Sequence, residues 1–207
     1  MTAEAIDLGR VVLLPVIRGL TSERIRVRRA IQETRPAIVA MSISRQELEA
    51  LRVYGGGTAE PSGPEEEAYV AGLSAFGDVE KPPPCFTEAL AVAGSLGLTV
   101  HSLDLDEDAF SDAYLREVSG LEFVVAGVRR SRIRRWRPRA ASAEAFVVSW
   151  DARVNRSRGL RALQRLREAH IAARLWELSR AGGPLLALVD FERSRGVAKR
   201  LGNQLPT

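Results

Sequence analysis

Three observations predict an α/β fold with a mainly parallel sheet flanked by helices. Short continuous apolar runs at residues 11–17, 37–41 and 185–189 mark strands buried on both faces. A strand, a helix and a second strand fit within about forty residues at the start, which is a βαβ unit and therefore a right-handed crossover in a parallel sheet. A long amphipathic segment, residues 158–180, repeats apolar residues at helical spacing through Leu160, Leu163, Leu166, Ala173 and Trp176.

The elements follow in order. The first strand, 11–17, ends at Arg18-Gly19-Leu20, and Thr21 or Ser22 caps a helix with Glu23 in its first turn. Arg35-Pro36 stops that helix, because proline disfavours helix in the residue before it. The strand at 37–41 leads to a helix at 44–52. Residues 55–64, opening on three glycines, read as a flexible linker: neither GxxxxGK[ST] nor a GxGxxG follows a strand. Helices are predicted at 65–76 and 86–96, the latter with a close-packing face at Cys85, Ala89, Ala93 and Gly97. A strand at 98–103 and a helix at 108–118 come next. Residues 123–150 form a basic extension, predicted as an arginine-rich β hairpin because Arg130, Arg132 and Arg134 alternate with Ser131, Ile133 and Arg135. Gly182-Gly183 closes the long helix and Pro184 introduces the last strand. Phe191 to Arg195 then lead to a terminal helix at 196–201.

Composition narrows the function classes. The 207 residues fit one domain with a sizeable core. No apolar run approaches the roughly 18 residues of a membrane span, and the first ten residues lack a signal-peptide pattern, so a cytoplasmic protein without a membrane role is expected. The lone Cys85 excludes an intrachain disulfide, and its place on a packing face suggests an inert buried thiol rather than a nucleophile. His101 and His170 have no partner at metal-ligand spacing; no metal and no cofactor is expected. Of 30 basic residues only Lys81 and Lys199 are lysine, and amides are few. That bias fits a thermophilic source or a GC-rich genome equally.

The motif order resembles the TraB/PrgY family, related to the Tiki proteases and more distantly to erythromycin esterases and ChaN. That family pairs two strand–turn segments, each with a GxxH signature, around one site. The first segment corresponds here to Val11 through Arg18, then Arg35-Pro36-Ala37-Ile38-Val39-Ala40-Met41-Ser42-Ile43 with Leu48 and Leu51. The middle segment corresponds to Ala89, Ala93, Gly97 and Asp104 to Asp106. The last corresponds to Arg167 to Leu175, followed by Leu188 through Val197. Pro15 and Asp190 stand at the motif glycines, Arg18 and Arg193 at the two histidines, and Ser42 at the acidic residue after the second strand.

Arginine neither ligates a metal nor shuttles a proton at neutral pH. The resemblance therefore implies a catalytically degenerate member, a pseudoenzyme serving as a binding or scaffold protein, with a basic anion pocket at the former active site. It also implies that the first and last strands lie side by side, bringing Arg18 near Arg193. The expected anion site comprises Arg18, Arg193, Ser42, Asp104, Arg167 and Glu168, with a small anionic ligand as partner. Alternatively, both arginines pair internally with Asp104, Asp106, Glu168 or Glu192. A second function class is a hydrolase for a phosphorylated or acidic substrate, using those same carboxylates and the arginines. A third is nucleic-acid binding through Arg130, Arg132, Arg134 and Trp136, where guanidiniums meet phosphates and the indole stacks on a base. An arginine-rich edge strand that resists edge-to-edge pairing explains that cluster as well. The acidic run of Asp104, Asp106, Glu107 and Asp108 is expected to serve the start of the helix near Asp108 rather than hold a cation. A homo-oligomer remains open.

Overall fold

The structure is a computed structural model that describes residues 4–57, 61–133 and 140–204, with 129–132 described in their backbone alone. Its strands are β1 (Ile6–Leu8), β2 (Val11–Val16), β3 (Ile38–Met41), β4 (Thr99–Ser102) and β5 (Leu185–Asp190). They form one sheet in the order β1-β2-β5-β3-β4. The pairs β2–β5, β5–β3 and β3–β4 are parallel, and only β1 runs antiparallel, against β2. The predicted α/β class with a mainly parallel sheet holds.

Alternation along the buried strands builds two cores. Leu14, Val16, Val39, Met41, Leu186 and Leu188 point to one face. They pack against Val27 and Ile31 of α1 (Glu23–Thr34) and Phe86, Ala89 and Ala93 of α4 (Pro84–Ser95), with Leu48 of α2 (Arg45–Arg52) beside them. Val11, Leu13, Ala40, Leu185, Ala187 and Val189 point to the other face. There they meet Ile171, Ala172 and Leu175 of α8 (Arg158–Ser179) and Val197 and Leu201 of α9 (Phe191–Gly202). The result is three layers, helix–sheet–helix, which explains why the strands are apolar throughout.

A third cluster stands beyond the end of β2. Ile17 and Leu20 meet Leu73 of α3 (Pro64–Leu73), Ile133 of α6 (Gly120–Ile133), and Phe146, Val147 and Trp150 of α7 (Ala143–Val154). Helix α5 (Glu107–Glu117) packs on α8 through Ala113 and Leu163. Among the described residues no helix is long and apolar enough to cross a membrane.

The predicted β hairpin over 123–150 is corrected. Its described residues fall largely in two helices, α6 and α7, and residues 134–139 lie outside the described chain. Local capping decides the outcome. Ser119 and Glu122 exchange bonds at the start of α6: Ser119 N donates to Glu122 Oε2 at 3.0 Å and Glu122 N to Ser119 Oγ at 3.3 Å. Ser142 Oγ accepts from Ala145 N at 3.2 Å to start α7. Phe146, Val147 and Trp150 then bury one helical face, and this outweighs the strand-like arginine alternation.

The C-terminal helix is also longer than predicted, beginning directly at Phe191 rather than at Gly196. Gly196 lies inside it because the carboxylate of Glu168 occupies the space a Cβ would take. Gly159, in the first turn of α8, is constrained likewise. A Cβ there would meet the backbone oxygen of Glu117, the Glu122 carboxylate at 2.7 Å and the Val118 Cα at 2.9 Å. Two of these neighbours are backbone and cannot step aside. Gly159→Ala is therefore expected to destabilise by about 1–3 kcal/mol, lowering Tm by about 2–12 °C in calorimetry. An unchanged Tm would refute that packing.

Candidate functional site

Parallel strands all end at the same edge of a sheet, and that edge gathers the polar residues here. Arg18 lies just beyond β2, Ser42 just beyond β3, Asp104 beyond β4, and Asp190 is the last residue of β5. Because β2 and β5 are neighbours in register, with Val16 opposite Asp190, Arg18 reaches across to Asp190. Its Nε donates to Asp190 Oδ1 at 2.6 Å and its Nη2 to Oδ2 at 3.0 Å, a two-pronged pair. The same Nη2 donates to the Ser42 carbonyl at 2.7 Å. Ser42 Oγ accepts from Asp190 N at 3.1 Å and ties the two strand ends together.

Arg193, one turn into α9, donates from Nη1 to Asp190 Oδ2. Two guanidiniums thus share one carboxylate that is 1% exposed. Burial pushes the Asp190 carboxyl up, but Arg18 and Arg193 outweigh it and hold it below the ordinary range. Burial alone would lower both arginines, and Asp190 reverses that, raising each above its usual value. They are permanently cationic.

A second pair adjoins the first. Arg167 of α8 bonds Asp104 through Nε at 3.1 Å and through Nη2. Gln164 Oε1 joins the pairs, accepting from Arg193 Nε at 3.1 Å and Arg167 Nη1 at 3.3 Å. Aromatic rings back the cations: Arg18 lies 5.1 Å from the Phe86 ring centre and Arg167 5.6 Å from that of Phe110. Tyr69 OH donates to the Arg18 carbonyl at 3.2 Å. Arg193 Nη2 has no hydrogen-bond partner among the described residues.

Of these groups Arg18, Tyr69, Arg167, Asp190 and Arg193 line a cavity of about 580 Å³, with Trp150 and Glu192 also in its wall. Glu192 is the unusual member. Burial first, and Asp190 second, push its carboxyl up to about 7. It therefore changes charge near neutral pH, where ordinary carboxyls do not.

The structure brings Arg18, Arg193, Ser42, Asp104 and Arg167 together. It does not bring Glu168, which sits one helical step round α8, against Gly196, and pairs with Arg200 Nε at 3.4 Å. None of the carboxylates expected as internal partners of Arg18 and Arg193 bonds them; the partner is Asp190, read in the sequence only as a displaced glycine. Gln164 was missed as well. The spacing of Asp190 and Arg193, three residues apart at a strand–helix junction, is the signal that could have found the hub. Asp106 caps α5, accepting from Ala109 N at 2.9 Å. Cys85 is fully buried, and burial pushes its thiol up. His101 and His170 are both held below their usual value, by burial first and by Arg174. Arg130 and Arg132 belong to the backbone of α6, while their side chains, together with Arg134 and Trp136, lie outside the described residues.

No family model matches the chain, and no curated protein matches it.

Proposed function

We propose that this chain is a catalytically degenerate TraB-like protein that binds a small anion in the cavity at the strand ends. One observation carries the reading: two guanidiniums converge on a single buried carboxylate, beside a third arginine and a carboxyl that burial pushes up to about 7. Within the bonded network alone, with Glu192 protonated, Arg18, Arg167 and Arg193 face the buried Asp104 and Asp190, one cation more than carboxylates. Elsewhere in the wall Glu66 is paired with Lys81, Glu80 with Arg24, and Asp151 accepts from Asn155 Nδ2 at 2.7 Å. Glu47 lies 3.5 Å from Arg18 but is about half exposed, where water screens it. An anion supplies the balancing charge, and Arg193 Nη2, which has no partner among the described residues, supplies a donor. The adjacency of the first and last parallel strands is what the TraB resemblance requires.

Sulfate is the test ligand, because its charge is constant across neutral pH. Titration calorimetry is expected to show binding that weakens as pH rises through about 7, where Glu192 ionises and its charge opposes the ligand. The loss expected between pH 6 and 8 is about tenfold. Glu192→Gln is expected to keep the tighter affinity at both pH values. No binding at pH 6, or equal binding after Arg18→Met with Arg193→Met, would overturn the proposal.

Glu192 also favours a second reading, a hydrolase for phosphorylated or acidic substrates. A carboxyl poised near the working pH is suited to general acid–base catalysis. Hydrolysis of a generic phosphomonoester that disappears in Glu192→Gln would select this reading over a pure binding role.

A further inference from the structure

We propose that the ligand is an organic anion, a carboxylate or phosphate head on an apolar body, and that the body occupies a second cavity on the far side of Arg167 and Arg193. The inference rests on the anion-binding reading and extends it to the chemical class of the ligand. The second cavity measures about 640 Å³, within the range of small-molecule sites. Arg167, Arg193, Val154 and Asn155 line both cavities, so the guanidiniums form a shared wall rather than the floor of one pocket.

The second cavity differs in character from the first. Phe110 and Tyr114 of α5, with ring centres 6.3 Å apart, form one side. Leu121 and Val125 of α6 and Leu163 of α8 continue the apolar surface. Leu121 is 76% exposed, so an apolar wall faces solvent at one edge of the cavity. Exposed Arg156 and Arg158 stand at its rim, and Arg167 and Arg193, bonded to Asp104 and Asp190, form the wall it shares with the first cavity. The Glu122 carboxylate is already engaged by Ser119 N at 3.0 Å and Gly159 N at 2.9 Å. Apolar walls edged by arginines fit neither a bare inorganic ion nor a neutral hydrocarbon. They fit a molecule with both parts, its head on Arg193 Nη2 and its body among the α5 and α6 side chains.

The experiment compares inorganic sulfate with butyl, hexyl and octyl sulfate by calorimetry on the full chain. Each added methylene is expected to tighten binding about fourfold until the cavity is filled. Val125→Asn, a partly exposed position, is expected to flatten the series while leaving Tm and the affinity for inorganic sulfate unchanged. Hexanoate and hexyl phosphate at pH 6 distinguish the two head chemistries, and tighter binding of either than of inorganic sulfate supports the class. If sulfate binds and the alkyl chain adds nothing, the second cavity is not the tail site and the anion reading stands. If nothing binds, the anion reading falls and takes this one with it. A chain-length gain that survives Val125→Asn overturns the assignment of the tail to this cavity.

Discussion

Asp190→Ala is expected to lower the melting temperature by about 6–20 °C, the equivalent of about 3–5 kcal/mol. The side chain is 1% exposed and, among the described residues, is the only carboxylate hydrogen-bonded by Arg18 and Arg193. Removing it leaves two largely buried guanidiniums facing each other, and arginine cannot escape by losing its proton. Arg193→Met should be far milder, because Arg18 alone still engages both oxygens of Asp190. Asp190→Asn falls between them, retaining one acceptor and no charge. Calorimetry with and without sulfate sharpens the test. Sulfate should raise the Tm of Asp190→Ala more than that of the unaltered protein, since an anion replaces the missing carboxylate. A variant as stable as the parent would show that the pair contributes nothing.

The pH dependence has a definite sign. Asp190 is held below its ordinary pKa, so its contribution is present above the ordinary carboxylate range and fades as pH falls below it. Glu192 behaves oppositely. Raised to about 7, it contributes fully below the ordinary glutamate value, and that contribution is lost as pH rises from there through about 7. The protein should lose stability in both directions from mildly acidic pH, and Glu192→Gln should remove the loss on the alkaline side.

The strands were legible for a physical reason. A parallel strand buried on both faces is apolar at every position, so β2, β3 and β5 stand out in one dimension. The three-residue β1 offers no such run; its hairpin depends on Asp7 accepting from Gly9 N at 2.8 Å, with Gly9 at φ +79°. Helices α6 and α7 were hidden by the arginines of 129–139, although the Ser119–Glu122 capping pair and Ser142 were present to be read. Within the site, Arg18 and Arg193 could be singled out because each follows a buried strand. Their common partner could not be named until the register of β2 against β5 was known. Gln164 contacts both arginine pairs only because α8 crosses this edge of the sheet. Glu168 shows the opposite failure: adjacency to Arg167 in sequence turns it about 100° away on the helix.

Replacing the whole network separates its structural role from its functional one. The triple variant Arg18→Met, Asp190→Leu, Arg193→Met is expected to be as stable as the parent, or more stable by about 1–4 kcal/mol, while sulfate binding is abolished. Assembling three charged groups inside a protein requires stripping each of water, and their mutual attraction only roughly offsets that. Apolar residues of similar size avoid the desolvation altogether. The surroundings are suited to them: Arg18 lies against Phe86, where methionine makes a favourable sulfur–aromatic contact. Asp190 makes no side-chain cap bond to α9, so leucine there removes no helix cap. If the triad exists to stabilise the strand ends, the triple variant will melt lower, as Asp190→Ala does. If it exists to meet a ligand, stability and binding will part company, with Tm preserved and the sulfate isotherm flat.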